Sequence, residues 1–145
     1  MNWSDKRRGG TDNVASRHQA WLKQARSDLR HANASAGLGN YDWACFAAQQ
    51  AAEKALKAVF QRFGGDAWGH SVNGLLTALP DSSAIEPELA DAAKELDKHY
   101  IPTRYPNSHP QGAPFEHYTQ GEAHRAITNA EKLIVFCESL LAGSE

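Results

Sequence analysis

Arg104 and His109 stand with four residues between them, Tyr105, Pro106, Asn107 and Ser108. A guanidinium that keeps its charge at every working pH and an imidazole that titrates near neutrality are two of the groups required to cleave RNA without a metal. That reaction needs a base to activate the ribose 2′-hydroxyl, an acid for the leaving oxygen and a cation for the charged phosphorane. The same residues suit binding alone, because Arg104 can grip a phosphate through two N–H bonds while Tyr105 or Tyr100 stacks on a base. The competing expectation is structural. Arg104 and Tyr105 then belong to the fold of the Tyr100–Pro106 stretch, and His109 is an ordinary exposed loop histidine.

These residues lie in one proline-rich connection, His99 to Tyr118, which holds four of the chain's six prolines: Pro102, Pro106, Pro110 and Pro114. Proline at every fourth position forbids an α-helix and stiffens an otherwise long loop, and long ordered loops are enriched in function. Five of the seven histidines, His70, His99, His109, His117 and His124, lie from residue 70 onward. No His-x3-His pair and no cysteine-rich set accompanies them, so neither a metal nor a cofactor is expected. His70 is expected to orient the turn before Ser71, and Glu53 and Lys54 to make helix-surface or interhelical contacts.

The flanking segments read as helices. Trp21, Leu22, Ala25, Leu29, Ala32 and Ala36 recur at three-and-four spacing, giving an amphipathic helix over about Ala15–Ala36. Gly37 and Gly39 end it, and Asn40 or Asp42 is the expected cap of the next helix. Tyr41–Phe63 has no Gly or Pro and places Ala44, Ala48, Ala51, Ala55 and Val59 on one face, with Gln50, Lys54, Lys57 and Gln61 as a polar row expected to face solvent. Ser71 is expected to cap a short helix carrying Val72, Leu75, Leu76 and Leu79, which Pro80 stops. Ser83 with Glu86 suggests a capping box for a helix reaching Tyr100, and Thr119 with Glu122 suggests another for the final helix. With no strand-type alternation, the fold class is all-α: an up-and-down bundle of about four to five helices over residues 15–142, behind a basic tail, 1–14, with Lys6, Arg7 and Arg8.

The 145 residues suit one domain, and a net charge of −2 excludes a uniformly basic nucleic-acid binder. Residues 1–31 nevertheless carry seven Lys/Arg against three Asp/Glu, the remainder eight against fourteen. Cys45 and Cys137 sit in apolar patterns and read as buried thiols rather than a disulfide. No apolar run is long enough for a membrane span or signal peptide, so a cytoplasmic protein is expected. Trp21, Trp43 and Trp68 are expected in the core or at an interface.

The run Tyr41-Asp-Trp-Ala-Cys-Phe-Ala-Ala-Gln-Gln-Ala-Ala-Glu-Lys-Ala-Leu-Lys-Ala58 resembles the second-helix signature of the HEPN domain family. Trp21–Leu29, Gly69-His70-Ser71 and Asp97-x-x-Tyr100-Ile-Pro-Thr-Arg-Tyr-Pro106 are similar to further elements of that family in the same order, so the resemblance spans about Ala15–Leu141. It implies a helical bundle that dimerises and works beside a minimal nucleotidyltransferase, or in toxin–antitoxin and defence modules. Many members are metal-independent ribonucleases with an Arg-x(4–6)-His pair, which Arg104 and His109 match in spacing. Those members carry a polar residue directly after the arginine and set the pair on a helix, whereas Tyr105 and Pro106 follow here. The resemblance therefore favours a protein that binds nucleotide or RNA phosphate through Arg104, Tyr105, Tyr100 and His109, as the partner of a nucleotidyltransferase. A metal-independent endoribonuclease toxin is the alternative, and a non-catalytic helical adaptor a further one.

Overall fold

The computed structural model describes residues 12–65, 67–80 and 82–143, with side chains from Arg17 onward. Five α-helices follow one another: α1 (Asp12–Gly37), α2 (Tyr41–Phe63), α3 (Val72–Thr77), α4 (Pro87–Asp97) and α5 (Gln120–Ala142). No strand occurs among the described residues. Residues 12–14, assigned above to the tail, are the first turn of α1, and the basic group Lys6, Arg7 and Arg8 lies outside the described residues.

Helix α2 is the central element, packing on α1, α5, α3 and α4. Its alanine face makes this possible: Ala44, Ala48, Ala51, Ala52, Ala55 and Ala58 are fully buried, and small side chains let neighbouring helices approach closely. Leu56, Val59, Leu96, Leu133 and Ile134 fill the space between. The α1–α2 hairpin turns at Gly39, whose φ of +82° is the left-handed conformation that glycine adopts without strain. Arg26 of α1 then clasps α5, meeting Glu131 and Glu138 at 2.6 Å each.

Four expectations are corrected. Asn40 makes no side-chain cap, and Asp42 lies inside α2, where it pairs with Arg104. Ser83 does not open α4: Ser82–Ala84 form a single 3-10 turn, and the helix starts at Pro87, whose fixed φ and missing N–H suit a first helical position. Helix α4 stops at Asp97, so Tyr100 lies beyond it. The polar row of α2 is half-buried rather than solvated, because Lys54 reaches Asp28 of α1 at 2.6 Å and Lys57 reaches the buried Glu53 at 3.0 Å.

Ser71 does cap α3, accepting the Gly74 N–H at 2.9 Å, and Asp97 reinforces it by accepting from Val72 N, Asn73 N and Ser71 Oγ, but α3 ends at Thr77, short of Leu79 and Pro80. Thr119 and Glu122 form the expected capping box of α5. Cys45 and Cys137 are buried free thiols. Trp21 packs on the core, whereas Trp43 and Trp68 are exposed.

Candidate functional site

The proline-rich connection is anchored from within. Thr103 is fully buried and its hydroxyl donates to the carbonyls of His99 and Tyr100 at 2.7 and 3.1 Å, which extends one turn past the end of α4. Pro106–Ser108 and Pro114–Glu116 each close a 3-10 turn, and Pro114 is buried. The connection therefore has a fixed path despite lacking regular helix.

That path sends the candidate residues to two places. Arg104 turns towards the start of α2, where one guanidinium nitrogen donates to Asp42 and the guanidinium carbon lies over the Trp43 ring, 3.6 Å from its centroid. Its Nε is buried without a hydrogen-bond partner. Tyr100 lies in the same region, stacked against His70 at 4.7 Å and Phe46 at 6.1 Å. His70 in turn faces the buried Glu53 carboxylate, with Nδ1 at 3.3 Å from both oxygens, while its carbonyl accepts from Gln49. Tyr105 is 56% exposed and available for stacking.

His109 turns the other way. Its Nε2–H donates to the Pro102 carbonyl at 2.7 Å, and its ring stacks on His117 with centroids 4.3 Å apart and planes 5° from parallel. His117 is held similarly, with Nε2 donating to the Gln111 carbonyl at 2.6 Å. A carbonyl oxygen can only accept, so Nε2 of each ring carries a proton. Gly112 makes the turn possible: its φ is +80°, and a Cβ there would come within 3.1 Å of His117 Nε2.

His109 and His117 line a cleft of about 720 Å³ with His99, Tyr118 and the charged residues Glu95, Lys98, Glu122 and Arg125. Burial lowers the His99 pKa, and its Nδ1 has no partner. Burial also pushes the Tyr118 phenol up to about 12, with Arg104 among the charges that oppose the rise. No hydrogen bond or ion pair joins Arg104 to His109 among the described residues. Arg125 donates to Glu95 at 2.8 Å, whereas Lys98 has no ion pair among them. Among the described residues no group of three or more His, Cys, Asp or Glu is placed to hold a metal ion.

Sequence reasoning missed Asp42 and Trp43 as partners of Arg104, since they lie about sixty residues away in the chain, and it gave His117 no role beside His109. The Gln111–Gly112 pair beside a loop histidine was the available signal for that second turn.

The HEPN domain family model matches residues 18–140. Among solved structures, TT1696 from Thermus thermophilus is 54% identical with a TM-score of 0.82, covering 85% of this chain and 97% of its own. An HEPN domain protein of Thermotoga maritima, TM0613, is 46% identical with a TM-score of 0.69 (85% and 98% covered). The archaeal HEPN homologue ST0689 is 36% identical with a TM-score of 0.73 (85% and 96% covered). The Methanocaldococcus jannaschii protein named "Putative toxin MJ1304" is 26% identical over 130 residues, 83% of this chain and 86% of that protein. With the described helices and a match that takes in both clusters of the proline-rich connection, the chain belongs to the HEPN domain family.

Proposed function

We propose that the protein is a toxin-like HEPN protein that binds nucleotide or RNA phosphate at its proline-rich connection and works with a minimal nucleotidyltransferase as partner, itself a homodimer. The observation that carries the binding reading is the cleft between α4 and α5. It gathers three imidazoles, His99, His109 and His117, with the Tyr118 ring and the cations Lys98 and Arg125. Imidazole nitrogens and cations recognise phosphate oxygens, and aromatic rings accept a base. Arg104 serves this site by fixing the loop, since its guanidinium is engaged by Asp42 and Trp43. The toxin reading is supported by the archaeal relative's name, and the partner reading rests on what the resemblance of the sequence motifs implies.

Metal-independent cleavage is the second reading, favoured by one feature: His109 and His117 stack on one another 4.3 Å apart in the same cleft, where an imidazole can take a proton from a ribose hydroxyl. One experiment separates the two. Highly purified protein is incubated with a mixed single-stranded RNA pool in the presence of chelator, and binding and cleavage are followed together for the natural sequence, His109→Ala, His117→Ala and Arg104→Ala. Binding without cleavage, weakened by either histidine variant, is the expected result. Cleavage abolished by His109→Ala with the fold intact establishes the ribonuclease. Binding that no variant affects rejects this site.

A further inference from the structure

Away from the histidine cleft, an apolar groove of about 820 Å³ runs between the C-terminal turns of α2 and α5 and the connection from α3 to α4. Val59, Phe63, Ile85, Leu89 and Phe136 form much of its lining, and Val135 and Leu140 stand in it 50% and 37% exposed. The cause is local. After Pro80 the chain reaches α4 through one 3-10 turn, Ser82–Ala84, which is too short to cover the last turns of α2 and α5.

Two further observations define what fits. First, the groove is continuous with a second apolar hollow of about 600 Å³, lined by Leu29 and Ile127, because both include Lys132 and Val135. Together they make a strip along α5 from Ile127 to Leu140, about 20 Å at 1.5 Å per residue, or three to four helical turns. An elongated occupant suits it better than a compact small molecule. Second, the lip on the α4 side is acidic. Glu86 and Glu88 border the groove, with Lys132 the one cation in its lining among the described residues, and Asp91 follows one turn along α4, three residues before Lys94. Lys132 meets Glu88 at 2.6 Å in an exposed pair, which contributes little, and Glu86 and Asp91 have no ion pair among the described residues.

We propose that this strip binds an amphipathic helix of a protein partner, with apolar residues at i, i+3, i+4 and i+7 seated around Val135 and Phe136 and a Lys or Arg on its flank facing Glu86. Helix-in-groove recognition draws affinity from the apolar stripe, and flanking charges select the partner and its direction.

The test uses synthetic helical peptides of about sixteen residues with a leucine stripe, one flanked by lysines and one by glutamates, titrated by fluorescence anisotropy into the full chain. The lysine-flanked peptide should bind about tenfold more tightly than the glutamate-flanked one. Val135→Glu should weaken both, and Glu86→Lys should narrow or reverse the preference. Glu86 is an exposed residue whose replacement leaves the core untouched, so this variant decides the matter even where Val135→Glu perturbs folding. Equal binding of the two peptides, or binding of neither, overturns the proposal. A dimer in sedimentation that Val135→Glu converts to monomer also overturns it, and assigns the strip to a second copy of the chain.

Discussion

Arg104 is held by two different forces, an ion pair with Asp42 and stacking on Trp43, in a position where its side chain is only 19% exposed. Breaking a largely buried pair from one side leaves an uncompensated charge, so Asp42→Ala should cost about 3 kcal/mol of stability, measured by urea unfolding. The double variant Asp42→Ala/Arg104→Met should lose less than the sum of its two single variants, because no charge is then stranded. Any loss of RNA binding in Arg104→Ala therefore has to be read beside its stability. His99 gives a pH dependence of definite sign. Burial lowers its pKa in the folded state, so below the ordinary histidine value near ~6.5 the unfolded chain binds the proton more readily. The stabilisation is whole above that value and is lost as pH falls through the lowered folded pKa; His99→Gln should flatten this part of the stability profile. The thiols follow the same logic in the opposite direction. Burial pushes Cys45 up to about 12 and raises Cys137 as well, so neither should react with a thiol reagent at neutral pH until the protein unfolds.

At the scale of the elements, two caps differ in weight. Thr119 accepts one backbone N–H at the start of the 23-residue α5, and Thr119→Ala should cost about 1 kcal/mol. Asp97 accepts from two backbone N–H groups and the Ser71 hydroxyl at the start of α3, which has only six residues. Bonds to a charged acceptor are stronger, so Asp97→Ala should cost about 2 kcal/mol or more in urea unfolding, and amide exchange should rise selectively across Val72–Thr77. The contrast also explains what could be read from the chain. Helix α2 was legible to its last residue because glycine-free, proline-free, alanine-rich sequence leaves the backbone no alternative, and the Thr119–Glu122 box was legible because both partners are three residues apart. The start of α4 was not, since Ser83 with Glu86 and Glu86 with Pro87 are two local solutions and packing selects the second. The site was half legible. Proline spacing singled out the connection, and the spacing of Arg104 and His109 singled out its residues, but the direction of each side chain is set by Asp42, Trp43 and His117, which no local pattern connects to them.

For the whole molecule, charge decides how RNA can be attracted. A net charge of −2 gives no long-range pull on a polyanion, and within the cleft Lys98 and Arg125 are opposed by Glu95 and Glu122. RNA binding at the cleft, as proposed, should therefore be local and only mildly dependent on salt. Neutralising a phosphate of a single strand contributes about −0.7 to the slope of log affinity against log salt, so two cations predict a slope of about −1.4. Lys98→Gln should bring it to about −0.7, whereas His109→Gln should weaken binding with little change in slope if the imidazole acts as a neutral hydrogen-bonding group. Fluorescence anisotropy of a labelled single-stranded RNA over about 50 to 300 mM salt measures both. A slope steeper than about −3 that Lys98→Gln leaves unchanged would place the phosphate contacts elsewhere. The exposed residues Arg17, Lys23 and Arg30 of α1 are then candidates for those contacts, and the histidine cleft would not be the RNA site.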